Sequence, residues 1–445
     1  MIDGQFPAGD LKRDRIEIPA PATETASAAR GVDGKDPGST VLLARQPIFD
    51  RNLQVWGYEL LYRNGPTNHC EDTGAPGQAT ANVIVNYLLN AGLNNLVGSA
   101  LAFINVDRET LLGGNLLMLP RNKVVLEILE TVEPDAEVIE ACTELRSKGF
   151  ILALDDVDDQ LQPSPLLNLA SLIKVDFQKT MPACRKDLVK RYGRGGTTML
   201  AEKVESEEEF EQAGSFGYQY FQGYFFARPT LVFGRPLPSS TLALLRILGE
   251  LASPDVSVRR LEVLVKQHVS LSYKLIRYIN SGAFAWRGSI QSLRHALTLM
   301  GMDQLQKLLS LMVVADINGK GPRELLLTAL VRARMSEMLG PSFGLEGREA
   351  SLFLMGLFSL LGAILHRPLD EVLTELNLEP DVSDALLGRS PSDNPLPRLF
   401  AFVVACESGD WSSLEAAAER ARINLQRVSE GHIQALQWAE QIACS

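Results

Sequence analysis

The chain is 445 residues long, 46% hydrophobic and 22% charged, with a formal net charge of −11. That length exceeds one ordinary core, so two domains are expected, each large enough to fold without disulfides. An acidic balance with no dense basic patch excludes a nucleic-acid backbone as a direct partner, so an anionic ligand would need local cations.

Residues 1–39 are rich in Pro, Ala, Gly, Ser and Thr, include Pro19-Ala20-Pro21-Ala22 and lack hydrophobic periodicity, which predicts a disordered segment. No continuous apolar stretch of the signal-peptide kind stands there. Cys70, Cys142, Cys184, Cys406 and Cys444 are isolated, as buried or incidental thiols of a reducing cytoplasm would be. The longest helix-like apolar stretch, 352–365, contains Gly356, Ser359 and Gly362 and falls short of the roughly 18 residues a membrane span needs. It is expected to be one core helix, and no membrane span is expected.

From residue 40 onward, short runs rich in β-branched and aromatic residues alternate with amphipathic helical stretches. The runs are 54–58, 101–104, 124–126, 150–154, 172–173, 198–201 and 218–221. Each ends at a polar residue: Glu59, Asn105, Glu127, Asp155, Lys174, Glu202 and Gln222 in turn. Strand followed by helix, repeated, predicts a parallel sheet. In a TIM-like (β/α) barrel every strand delivers its C-terminal end to one mouth, so these residues would converge. The barrel is expected over residues 40–232, a Pro- and Gly-rich linker over 233–240, and a second domain over 241–445.

Glu59, Glu127, Asp155, Glu202 and Glu205, with Asn105, make an oxygen-only donor set that suits Mg2+ or Mn2+ rather than zinc. Carboxylates gathered at one mouth repel one another unless cations sit between them. Two divalent ions there can activate water and stabilise the entering and leaving oxygens of a phosphodiester. Lys174, among carboxylates, would stay protonated and orient that water or neutralise developing charge. Arg63, four residues after Glu59, offers a planar fork to a phosphate.

Glu59-Leu60-Leu61-Tyr62-Arg63 resembles the Glu-Ala-Leu-x-Arg signature of EAL domains, barrel phosphodiesterases of the bacterial second messenger cyclic di-GMP. The resemblance extends to Asn105 in Phe-Ile-Asn, Glu127 and Glu130 in Glu-x-x-Glu, the Asp155-Asp156 pair, Lys174 with Asp176, Glu202 with Glu205, and Gln222 before Gly-Tyr. It implies metal binding by Glu59, Asn105, Glu127, Asp155 and Asp156, and service of the catalytic water by Lys174. It further implies completion of the network by Glu202, Glu205 and Gln222, ligand contacts by Arg63 and Asp176, and a loop-steadying role for Glu130. The chain departs from the family at Val157-Asp158-Asp159-Gln160, where Phe-Gly-Thr-Gly is usual, and at Lys203, where glycine is usual.

Beyond residue 240, apolar residues recur at three- and four-residue spacing, predicting helices that include 293–299, 305–314, 323–339, 349–365 and 396–406, with two more closing the chain. The text 271–281, followed by Ile290-Gln291-Ser292-Leu293 and 296–301, resembles the HDOD domain, a helical relative of HD phosphohydrolases. Those enzymes bind metal through an adjacent His-Asp pair. His69, His268, His295, His366 and His432 are followed by Cys, Val, Ala, Arg and Ile, so hydrolysis by this half is not expected. His295 and His366 read as packed or capping residues.

The resemblance thus implies a cytoplasmic bacterial signalling protein. On that resemblance its barrel would bind cyclic di-GMP, with or without opening it to the linear dinucleotide by a two-metal route, and its helical half would serve a protein partner or a homodimer. The alternative is a catalytically inactive scaffold, a regulatory protein-interaction module without nucleotide turnover.

Overall fold

The computed structural model describes residues 41–64, 92–158, 164–193, 196–227, 237–280, 293–319, 321–391, 394–408, 411–421 and 423–443. The segment 1–39 and the first half of the expected linker, 233–236, lie outside them, and the helix that begins at Ser239 takes up the linker's last two residues.

Eight strands close a barrel in sequence order: β1 (Val41–Asp50), β2 (Val55–Asn64), β3 (Leu101–Val106), β4 (Val124–Ile128), β5 (Ile151–Val157), β6 (Leu172–Asp176), β7 (Thr198–Glu202) and β8 (Tyr220–Gln222). From β2 through β8 neighbours run parallel, as predicted. The sequence reading missed β1, which pairs antiparallel with both β2 and β8 and so corrects the expectation of an all-parallel sheet. No helix separates β1 from β2. Arg45 and Gln46, followed by Pro47, also break its apolar run.

Helices α1 (Leu93–Val97), α2 (Arg108–Leu112), α3 (Ala136–Ser147), α4 (Leu166–Leu169), α5 (Pro182–Tyr192) and α6 (Glu207–Phe216) link the strands. Their starts are sequence-encoded: Asp107, Asp135 and Ser206 accept the backbone N–H of Thr110, Val138 and Glu209, the N-cap arrangement.

Inside the barrel, Phe103, Val125, Ala153, Leu172, Leu200 and Tyr220 form an apolar plug with Ile48, Trp56, Leu101 and Ile151. Two residues further along the same strands come Asn105, Glu127, Asp155, Lys174, Glu202 and Gln222. Side chains on a strand repeat with period two, so this polar layer must stand directly above the plug. Trp56 stacks on Tyr220 with ring centroids 3.7 Å apart and meets Phe103 edge-on. The barrel is thereby sealed beneath its mouth.

The rest of the described chain is helical: α7 (Ser239–Ala252), α8 (Val258–Gln267), α9 (Val269–Ile279), α10 (Leu293–Met300), α11 (Met302–Asn318), α12 (Arg323–Leu339), α13 (Glu349–Phe358), α14 (Leu361–Leu365), α15 (Leu369–Thr374), α16 (Pro380–Leu386), α17 (Pro395–Ser408), α18 (Trp411–Ala421) and α19 (Leu425–Ala443). Among the described residues no helix is long and apolar enough to cross a membrane. The single helix expected over 352–365 is two, α13 and α14. The Ser359 hydroxyl donates to the Gly356 carbonyl and accepts from Arg332, a local alternative to the helical ladder that breaks the run. His366 caps α14 in the left-handed conformation, as a capping reading predicts, whereas His295 is exposed on α10 rather than packed.

The bundle docks on β1 and β2. His432 of α19 donates its Nδ1 proton to the Leu43 carbonyl at 3.1 Å, Arg45 pairs with Glu440 at 3.2 Å, and Tyr58 donates to Glu324 of α12 at 2.7 Å. Gln46 donates to the Ser408 carbonyl at the end of α17. The buried His432 was not singled out from sequence.

Burial and the nearby Arg45 guanidinium push the His432 imidazole down to about 4. The native state therefore rejects a proton that the unfolded chain accepts between the ordinary histidine value and about 4. Its contribution is complete above pH 6.5 and is lost as pH falls toward 4, amounting to about 3 kcal/mol. Chemical denaturation across this range is expected to show that slope in the native sequence and not in His432→Gln. In α13, a Cβ on Gly356 would stand 2.4 Å from the Arg332 carbonyl and the Ala333 nitrogen. Gly356→Ala is expected to push α12 and α13 apart and to cost on the order of 3 kcal/mol in the same measurement.

Candidate metal centre at the barrel mouth

The rim is organised around one ammonium. Lys174 Nζ lies 2.7 Å from Glu202, 2.8 Å from Glu127, 2.8 Å from Asp155 and 3.3 Å from Glu59. Four carboxylates from four strands thus face one buried cation. Glu59 also accepts from the Asn105 side-chain amide at 3.1 Å and from Gln222 at 2.7 Å. Gln222 uses its second amide hydrogen on Gln46.

Adjacent residues of a regular strand point to opposite faces, yet Asp155 and Asp156 both reach the rim. The pairing of β5 with β6 slips there, from Leu154 opposite Ile173 to Val157 opposite Val175, so β5 carries one extra residue. That bulge, with Asp156 at φ 48°, turns both carboxylates to the mouth. Asp155, Asp156 and Glu202 bring carboxylate oxygens within 4.8 Å of one another.

The electrostatics follow from burial. Burial lifts the Glu127 carboxyl well above the ordinary range, with Glu59 and Asp155 adding to the rise against the pull of Lys174. Burial likewise raises Asp155, and pushes Glu202 up to about 8. Glu59 goes the other way: burial raises it, but Lys174, Gln222 and Asn105 together hold it below the usual value. Lys174 loses from burial and gains more from its four carboxylates, so its pKa lies well above that of a free lysine. It remains an ammonium.

The oxygens turned away from Lys174 are informative. Asn105 Oδ1, Glu127 Oε2, Glu202 Oε2 and Gln222 Oε1 are buried without a hydrogen-bond donor. Unpaired buried acceptors are costly, and acceptors of this kind fit a hard cation. The donor set on this rim fits a divalent ion.

The remaining predicted residues fall around this core. Asp176 is buried on β6 and accepts from the backbone N–H groups of Gln178 and Lys179 and from Lys203. Asp156 is met by Lys179 and, at 3.4 Å, by Lys203. Glu205 accepts from Gln178 at the rim's edge. Glu130 is exposed on the turn after β4, and the loop it was expected to steady runs into residues 159–163, outside the described residues. Of Arg63 only the backbone in β2 is described. Sequence reasoning missed Gln46, Lys179 and the Tyr62 hydroxyl, which donates to the Asn105 carbonyl. A period-two reading of β1 finds Gln46.

The chain matches the EAL domain over residues 115–229 and the HDOD domain over residues 237–376. The EAL match begins after β3, so Glu59 and Asn105 lie upstream of it. Cyclic di-GMP phosphodiesterase CdgJ of Vibrio cholerae is 33% identical over 409 residues, covering 91% of this chain and 93% of CdgJ. The uncharacterized protein YuxH of Bacillus subtilis is 31% identical over 411 residues, covering 90% of this chain and 98% of YuxH. The solved YkuI protein of Bacillus subtilis, with an EAL domain in complex with cyclic di-GMP and calcium, is 22% identical with a TM-score of 0.35, over 54% of this chain and 64% of that one. The chain belongs to the family of proteins in which an EAL domain is followed by an HDOD domain.

Proposed function

We propose that this chain is a cytoplasmic cyclic di-GMP signalling protein, in which a barrel unit over residues 40–232 binds the nucleotide with divalent cations and a helical unit over 241–445, reached through the linker 233–240, carries the output to a protein partner. The observation that carries this reading is the ring of four carboxylates and two amides around Lys174, with buried oxygens that lack donors. Whole-chain similarity to CdgJ supports the nucleotide assignment.

In this reading Glu59, Asn105, Glu127 and Asp155 hold Mg2+ or Mn2+, with Asp156 at the edge of the set. When bound, such an ion supplies Lewis-acid activation of a water and of the phosphodiester. Lys174 holds a proton at Nζ and offers a fixed positive charge to the reacting group. Glu202, Glu205 and Gln222 complete the polar network, Gln222 by fixing the Glu59 carboxylate. Arg63 meets a phosphate, Asp176 orders the ligand-facing turn after β6, and Glu130 supports the loop beyond β5.

A second reading, an inactive scaffold or regulatory module, draws on the lysines already paired with Asp156. Calorimetric titration with cyclic di-GMP separates the two. With millimolar Mn2+, saturable heat and a raised Tm are expected, because a ligand of the native state stabilises it. Glu59→Ala is expected to abolish both. Silence in the wild-type titration favours the scaffold. A further consequence concerns Lys174→Met, which leaves four carboxylates facing one another without a cation. It is expected to cost about 3–5 kcal/mol in the absence of metal. Thermal unfolding with and without Mn2+ is expected to show a larger metal-induced rise in Tm for this variant than for the wild type.

A further inference from the structure

The rim divides into two charge compartments. In the inner one, Glu59, Glu127, Asp155 and Glu202 face the single ammonium of Lys174, leaving three formal negative charges. In the outer one, Asp156 and Asp176 face two ammonium groups, Lys179 and Lys203, and the charges cancel. The orphaned oxygens of Glu127, Glu202 and Asn105 belong to the inner compartment. The outer carboxylates have their donors: Asp156 holds both lysines, and Asp176 holds Lys203 and two backbone N–H groups.

The outer compartment is built into the backbone. Lys203 directly follows Glu202 at the end of β7 with φ 54°, a conformation in which glycine is at ease and a side-chain-bearing residue is strained. It stands where the family pattern carries glycine. At this position the left-handed backbone sends the side chain across the mouth, so that its ammonium bridges β5 and β6 through Asp156 and Asp176. A glycine there would leave those carboxylates to a cation from solution.

We infer that Lys203, assisted by Lys179, is a built-in replacement for a second metal ion, so that this barrel takes one divalent cation, in the inner compartment, rather than two. The inference rests on the proposed metal role of Glu59, Asn105, Glu127 and Asp155, and narrows it. With all four inner carboxylates ionised by the bound metal, one divalent ion lowers the formal excess from three negative charges to one, while a second ion would have to displace two ammonium groups from Asp156. A site of this kind retains the capacity to bind an anionic nucleotide and loses the paired-ion geometry that in-line hydrolysis uses.

The test is the stoichiometry of Mn2+ on the full chain, by equilibrium dialysis and calorimetry with the metal alone. One ion per chain is expected for the wild type, and two for the combined Lys179→Gln and Lys203→Gly variant, with the second binding at least tenfold more tightly than any second site of the wild type. Glycine at φ 54° relieves strain, and a cooperative thermal transition verifies that the variant is folded. Two ions on the wild type overturn the inference and leave the proposed function standing. One ion on both proteins also overturns it, since the lysines then do not exclude the second. No ion on the wild type overturns the metal reading itself, and this inference with it. The wild-type count decides even where the variant does not fold.

Discussion

The fixed ammonium of Lys174 is the constraint on which the mouth of the barrel depends. Closing eight strands into a cylinder brings four carboxylates together in a largely buried layer above the apolar plug. Without a cation between them the closed state would carry unpaired buried charge, which is among the most costly defects a protein core can hold. Lys174 removes part of that penalty and leaves part. Its ammonium is shared among four acceptors, and the far oxygens of Glu127 and Glu202 stay without donors. A mouth arranged in this way is stable enough to fold and is unsatisfied enough to favour a further cation. Folding and metal affinity thus draw on one electrostatic imbalance.

Much of this was legible in the sequence because a strand imposes a short period. An apolar residue that fills the barrel and the polar residue two places later that crowns it are signatures of one inward face. Phe103 with Asn105, Val125 with Glu127, Ala153 with Asp155, Leu172 with Lys174 and Leu200 with Glu202 repeat the pattern. Six of the seven rim residues follow from that repeat; Glu59 stands two places after Gly57 and is marked instead by the run it ends. The features that escaped it are those set by backbone departures or by partners remote in sequence. The bulge that brings Asp156 beside Asp155 depends on the register with β6. The left-handed turn at Lys203 is the reverse of what a lysine announces. β1 escaped because its polar residues serve contacts to helices several hundred residues away.

The helical half was legible as helices and not as an arrangement. Spacing identifies an apolar face and does not say which helix covers it. Leu352–Phe358 are buried on every side, so periodicity carries no directional information there, and the break at Ser359 is a matter of one hydroxyl bonding backward. The buried histidine is a case of the same limit. His432 resembles any histidine on an amphipathic helix until the Leu43 carbonyl of β1 is placed against it.

Those remote contacts join the two halves at the strand that carries the first metal-ligand candidate. On β2, Tyr58 points outward and donates to Glu324 of α12, while its neighbour Glu59 points inward to Lys174, Asn105 and Gln222. Gln222 is tied in turn to Gln46, and Gln46 to the Ser408 carbonyl at the end of α17. Consecutive strand residues share one peptide plane and one ladder, so the two side chains leave opposite faces of the same stretch of backbone. The same carboxylate is held from the other side by Gln222, whose partner Gln46 is tied to α17. Contacts from the bundle thus reach the surroundings of Glu59 at Tyr58 on β2 and through Gln46 on the paired strand β1. A cation bound by Glu59 and a partner bound by the helices would be coupled only as far as each binds two bundle positions unequally, and by linkage that coupling would be equal in both directions.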